Sequence, residues 1–337
     1  MELKELIQKQ SIGNWQPNYM LSNLAIINYE SAAFKSRRVF PTIPVQLPSG
    51  FYYTFSTADL ARDNVHRKPD FGHVQPAVFS LSEDKYICKL DQILVGIDRL
   101  MAQPYRTAAD MGLGIEVYRQ RVPMVVEQMN IHMERIFAEN FFKSGVWANE
   151  WQGAASENVA QKKFQKFSNA NSDPAKFIDE RATDIKLLGR RKPNKLVLGV
   201  ETYLALKNNP AIKERVKYTG STANPAVVNE NALAQIFGVE QVITLDTTYN
   251  AGGVGKSDMQ FICDSKGALL LFAPDNPSID TPAAGYIFAY QINGNDYIAL
   301  DVFDADRASH TEFVEGLIAV DMKKTSDTLA CYLSECV

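Results

Sequence analysis

Residues 172–218, SDPAKFIDERATDIKLLGRRKPNKLVLGVETYLALKNNPAIKERVKY, set a short unbroken apolar run between two helical patterns. That order constrains the fold more than any reactive side chain does. Asp173 caps a helix that Pro174 opens at its first turn, where a missing amide proton costs nothing, and Gly189 is positioned to end it in a left-handed turn. Residues 195–200 then read as a strand buried on both faces, and residues 201–207 and 210–217 return to helix. A strand of that kind between helices predicts a mixed helix-and-sheet body.

The rest of the chain follows a legible order. Residues 1–40 begin with a short helical pattern, become irregular, and end in the basic patch Lys35, Arg37 and Arg38, which reads as an arm. Such a patch is solvated, or touches DNA or the acidic surface of a partner. Residues 41–90 are extended: Val45, Leu47, Phe51, Tyr53 and Phe55 largely alternate around the turn Pro48-Ser49-Gly50, and a second run covers 77–90. Between them, residues 56–75 hold Arg62, Asp63, His66, Arg67, Lys68, Asp70 and His73 with little apolar content, so this tip projects. A long two-stranded protrusion is marginal by itself and implies a neighbouring subunit to lie on.

The longest helical pattern spans 107–144. Val126, Met129, Met133, Phe137 and Phe141 recur three or four apart as one apolar stripe, with Glu127, Asn130, Glu134 and Arg135 assigned to other faces. Pro123 predicts either a kink or a fresh start at that point. Residues 148–171 read as a partly ordered connection anchored by Trp151, Phe164 and Phe167. Beyond 218, Asn231 is expected to cap a helix ending at Gly238. Residues 239–245, 268–273, 286–291, 297–303 and 313–322 read as strands, with a proline-rich loop over 274–284.

With 337 residues, 46% of them hydrophobic, the chain has ample material for a core in one large or two interleaved domains. A net charge of −4 argues against a protein whose main task is gripping nucleic acid through its phosphates, although a container for DNA has no such need. The start, MELKELIQKQ, lacks the apolar core of a signal peptide, and no later run approaches the roughly 20 apolar residues of a membrane helix. Cys88, Cys263, Cys331 and Cys336 are scattered without the paired spacing of a zinc site, so neither disulfide nor metal is expected.

Three constellations invite a chemical reading. Residues 250–257, NAGGVGKS, end like a phosphate-binding loop, but Asn250 stands where the first glycine belongs and a strand, not a helix, is expected to follow. A flexible hairpin joining 242–245 to 259–263 is the structural reading. Ser309 and His310 with Asp301, Asp304 or Asp306 suggest a hydrolase, yet adjacent Ser and His seldom face each other and no nucleophile elbow exists. His66 and His73 with Asp63 and Asp70 lack a rigid base for metal geometry and read as a charged contact surface. His132 reads as a satisfied, partly buried side chain. No catalytic, cofactor-binding or metal-binding residue is assigned.

Taken in order, the arm, the long hairpin, the long helix, the mixed domain and the terminal strands resemble the major capsid proteins of tailed bacteriophages with the Hong Kong 97 type fold. The pieces that carry the resemblance are Glu134 to Phe142 followed by Trp147, residues 172–218, residues 233–245, and 268–274 leading into Pro282-Ala283-Ala284-Gly285-Tyr286. The resemblance implies an α+β fold with an N-terminal arm (1–40), an extended loop (41–90), a peripheral domain with a spine helix (91–184), an axial domain (185–285) and terminal strands returning to the peripheral domain (286–337). It implies a non-enzymatic subunit that assembles through pentamers and hexamers into an icosahedral shell around double-stranded DNA. The shell would form in the host bacterial cytoplasm and end in the virion, without a membrane. Because only about 40 residues precede the extended loop, a separate scaffolding protein is expected, with a portal and, in some relatives, a decoration protein as further partners. A cellular encapsulin-like nanocompartment shell is the neighbouring alternative. A nucleotide-binding enzyme using Gly252 to Ser257 is the alternative from a different class.

Overall fold

A computed structural model describes residues 34–55, 61–68, 70–73, 76, 81–98, 117–217, 228–253, 255–276, 282–292, 298–304 and 310–337. A 3-10 turn at Ser36–Arg38 leads into β1 (Thr42–Val45), β2 (Ser49–Phe55), β3 (Leu81–Ile87) and β4 (Lys89–Asp98), and then the long helix α1 (Val117–Asn140). The middle of the chain supplies β5 (Glu150–Ala154), β6 (Lys163–Gln165), α2 (Pro174–Gly189), β7 (Lys195–Gly199), α3 (Val200–Asn208), α4 (Pro210–Lys217), α5 (Glu230–Phe237) and β8 (Gln241–Leu245). A short ribbon, β9 (Thr248–Asn250) and β10 (Met259–Phe261), precedes β11 (Ala268–Leu271), β12 (Gly285–Tyr290), β13 (Ile298–Asp304), β14 (Thr311–Lys324) and β15 (Ala330–Ser334).

Two larger sheets organise these elements. In the first, the long strand β14 is central: β4 runs antiparallel along one edge, β13 and then β12 along the other, and β1 adds parallel to β12. Helix α1 crosses this sheet at Gly316, where a Cβ would stand 2.5 Å from Val125 Cγ1 and 2.8 Å from Met129 Sδ, so only a glycine admits the helix this closely. The second sheet has the order β6-β5-β15-β11-β7-β8. Every residue of β7 is buried, as the apolar run after Lys195 demands. Its alternating side chains divide between two cores: Val197 joins the cluster that includes α1 and the first sheet, while Leu196 and Leu198 join the one formed with α2 to α5.

Several sequence expectations need correction. Asp173 does cap α2, accepting from the Lys176 amide, with Pro174 at the first turn, but the left-handed residue is Arg190 (φ 59°), not Gly189. Gly189 is required for a different reason: a Cβ there would lie 2.4 Å from Leu329 Cδ2. The cap of α5 is Asn229, whose side chain accepts from the Ala232 amide, not Asn231. Residues 148–171 are no loose connection, since β5 and β6 join the second sheet and Trp151, Phe164 and Phe167 are all buried. Helix α1 runs through Pro123 without restarting, and its portion before 117 lies outside the described residues. The stripe from Val126 to Phe141 is buried as expected, yet Asn130 and Glu134, assigned to other faces, are buried with it. Among the described residues no helix is long and apolar enough to cross a membrane.

Candidate assembly surfaces

The root of the N-terminal segment is tied down at several points. The backbone amides of Lys35 and Ser36 donate to Glu134 Oε1 at 2.7 and 3.0 Å. Glu134 is 0% exposed, and burial pushes its carboxyl above the ordinary range against the opposing effect of those amides. Lys35 Nζ lies 3.3 Å from Asp246 and 3.8 Å from Glu230 at the start of α5. Lys195 Nζ, from β7, donates to the Arg38 carbonyl at 2.9 Å and pairs with Asp275 at 3.2 Å. Phe40 then packs edge-on against Phe137 and Phe141 of α1. The expected basic patch is therefore partly used within the chain: Lys35 serves intramolecular carboxylates.

Among the described residues the extended hairpin is anchored at its base. Strands β2 and β3 pair with each other over seven residues, roughly 24 Å at the usual rise, while β1 and β4 on either side belong to the first sheet. At the base, Tyr86 stacks on Phe288 with ring centroids 4.6 Å apart, and the Ile87 amide donates to Asp321 Oδ2 at 2.8 Å. Farther out, Phe51 is 71% exposed, and Val65 and Phe71 in the described part of the tip are exposed too. Arg67 and Lys68 are exposed beside them. Among the described residues nothing covers this apolar and cationic projection, which fits a contact element.

The face of the first sheet opposite α1 is exposed only at its margins, while Ala299, Leu317 and Ala319 at its centre are buried. Leu90 and Leu94 of β4 and Phe303 of β13 are exposed there. Between them Asp301 and Glu315 face each other across β13 and β14 in register, only 5% and 7% exposed, and Gln92 Nε2 donates to Glu315 Oε1. Burial, with Glu315 adding repulsion, pushes the Asp301 carboxyl up to about 6.

Among the described residues none of the chemical constellations assembles into a reactive site. The tip of the β9–β10 ribbon is organised by Asn250, whose Oδ1 accepts from the Gly252 and Asp258 amides at 2.9 and 2.8 Å while Nδ2 donates to the Lys256 carbonyl at 2.8 Å. The Ala251, Gly252 and Lys256 amides are already bonded within the ribbon, and Ser257 leads into β10 instead of a helix. The ribbon's first arm is residues 248–250, not 242–245 as expected. Ser309 and Asp306 lie outside the described residues, as does the side chain of Asp304; His310 is left-handed at φ 48°. Among the described residues, including Asp63, His66, Asp70 and His73, no three His, Cys, Asp or Glu side chains gather to hold a metal. His132 is half-buried with Nε2 3.2 Å from Asp91 Oδ2, a satisfied side chain. All four cysteines are buried free thiols, and burial pushes Cys88 up to about 11 and Cys331 up to about 12, which keeps them protonated and unreactive. Sequence reasoning missed Glu134 and the Asp301–Glu315 pair. Helical spacing did carry the signal for Glu134, which sits four residues after Asn130 and seven before Phe141.

No family model matches the chain. It is 25% identical over 245 residues to the major capsid protein of Burkholderia phage BcepMu, covering 68% of this chain and 69% of that one. Among solved structures it is similar to a phage-related protein from Bordetella bronchiseptica, with a TM-score of 0.69 at 19% identity, over 94% of this chain and 96% of the other. It is also similar to the capsid protein of cyanophage P-SCSP1u, with a TM-score of 0.53 at 10% identity over 97% and 91%. An encapsulin from Synechococcus elongatus matches with a TM-score of 0.51 at 10% identity over 99% and 95%.

Proposed function

We propose, for a chain that has the Hong Kong 97 type capsid fold and a phage major capsid protein among its relatives, that it is the structural subunit of an icosahedral phage shell and acts by assembly, not catalysis. The observation that carries this reading is the extent of the likeness, which runs through 94% of the chain. In the finer reading, subunits gather as pentamers and hexamers around double-stranded DNA, with a separate scaffolding protein and a portal, in the host cytoplasm. Residues 1–40 are an arm, 41–90 an extended loop, 91–184 a peripheral domain, 185–285 an axial domain, and 286–337 strands returning to the peripheral domain.

The extended loop lies over an adjacent subunit. The exposed apolar and cationic residues of its described tip, on a hairpin anchored at its base, support this reading. Many repeated contacts of this modest kind suit a shell in which one chain must accept slightly different neighbour angles.

A second reading is an encapsulin-like compartment around a protein cargo, favoured by the structural likeness to an encapsulin. The sequence relative is a phage protein, which favours the first. The test is electron microscopy and sedimentation of the purified protein, expressed with and without its neighbouring genes. Closed shells, or their pentameric and hexameric pieces, support assembly, and packaged DNA against packaged enzyme separates the two readings. A persistent monomer or dimer under both conditions overturns both.

A further inference from the structure

We propose that the last turn of α2 and the turn after it, residues 186–192, form a docking surface for an acidic segment of another protein that carries apolar side chains. The proposal goes beyond the shell reading and does not depend on it.

Two features that a solitary subunit gains nothing by exposing meet at this point. Leu187 and Leu188 are 79% and 54% exposed on a helix whose opposite face is buried in the core. Around them stand Lys186, Arg190, Arg191 and Lys192, all exposed. No acidic residue occurs from Ile185 to Lys195. Carboxylates on the adjoining elements are engaged elsewhere: Asp184 by Arg181 at 3.0 Å, Glu240 by the Asn194 side chain at 3.3 Å, and Asp275 by Lys195 at 3.2 Å. Among the described residues Lys186, Arg191 and Lys192 enter no ion pair. The C-terminal end of the helix dipole answers only about half a charge, so most of this positive charge stands unmatched in a chain whose net charge is −4.

The backbone holds the surface in one shape. Gly189 is pressed against Leu329, the Arg190 amide donates to the Lys186 carbonyl at 2.9 Å, and the Asn194 amide donates to the Leu271 carbonyl at 3.1 Å. Arg190 is left-handed at φ 59°, where glycine or asparagine is the usual choice, so the position carries a long cation against its backbone preference. A turn fixed in advance loses little entropy when a partner settles on it. Charge complementarity selects the occupant. The cations call for carboxylates and the two leucines for apolar side chains among them, whereas double-stranded DNA would satisfy the first and leave the leucines in water.

The test is fluorescence anisotropy of the full chain, as unassembled subunit, with three labelled probes: a synthetic peptide of glutamates with leucines at helical spacing, the same peptide with serine for leucine, and a short DNA duplex. The acidic leucine peptide should bind most tightly, and more weakly as salt rises. Leu187→Ser with Leu188→Ser, and Arg191→Glu with Lys192→Glu, should each weaken it roughly tenfold or more while Tm stays at the native value, since all four side chains are exposed. Equal binding of the serine peptide, tighter binding of the duplex, or binding that survives both double substitutions overturns the proposal. So does self-association in sedimentation that Leu187→Ser with Leu188→Ser abolishes, which would assign the surface to a second copy of the chain. Should a double variant fail to fold, the three probes on the native protein still decide. The measurement concerns the unassembled subunit, so its failure leaves the shell reading to the micrographs.

Discussion

Replacing Asp301 with asparagine should stabilise the protein at neutral pH. Asp301 is 5% exposed, faces Glu315 in register across β13 and β14, and has its carboxyl raised from 3.8 to about 6 by burial and by that neighbour. The folded state therefore binds a proton more tightly than the unfolded chain between those two values, so this group's contribution to stability is full below the unfolded value and falls as pH rises through about 6. At 1.36 kcal/mol per pH unit, the loss by pH 7 is ~3 kcal/mol. Asparagine carries no charge at any of these pH values and retains an oxygen for the Val302 amide, which now donates to Asp301 Oδ1 at 2.8 Å. Thermal unfolding of the soluble subunit between pH 4 and pH 7.5 should show Asp301→Asn gaining on the native protein as pH rises, by ~1–3 kcal/mol at pH 7, and drawing level near pH 4. The difference between the two proteins is the informative quantity, because groups such as Asp84, held low by its hydrogen bond from Tyr52, tilt the native curve the other way. Parallel pH curves, or an Asp301→Asn protein that is less stable at pH 7, would refute the reasoning.

Other outcomes follow from the same structure. Gly316→Ala pushes a methyl into Val125 and Met129 and should destabilise by about 1–3 kcal/mol, seen as a lowered Tm of the subunit. Phe40→Ala empties a fully buried site between the arm root and α1 and should cost about 3–5 kcal/mol in denaturant unfolding. Deleting residues 57–74 should leave the subunit folded by circular dichroism yet prevent normal particles by electron microscopy; normal particles would remove the role given to the loop. Lys256→Ala should leave calorimetric titration with ATP as flat as in the native protein, since the Gly252 and Asp258 amides are already bonded to Asn250.

The sequence by itself determined the features that depend on neighbours along the chain. The Asp173 cap with Pro174 behind it, the doubly buried run of β7, and the apolar stripe of α1 follow from local hydrogen bonding and from the 3.6- and 2-residue periods, which need no knowledge of the remainder of the molecule. The order of these elements was enough to suggest the capsid fold. Tertiary structure alone decided what distant segments do to one another. β5 and β6 read as a connection because strands of five and three residues carry almost no periodic signal, and they become strands when β5 pairs with β15, far away in the sequence, and β6 with β5. Gly189 and Gly316 are required by a leucine and a helix that the local sequence does not reveal. Glu134 and Asp301 look like ordinary surface carboxylates until the arm root is laid on one and Glu315 is paired with the other; their burial, and with it their protonation, is a property of the assembled fold.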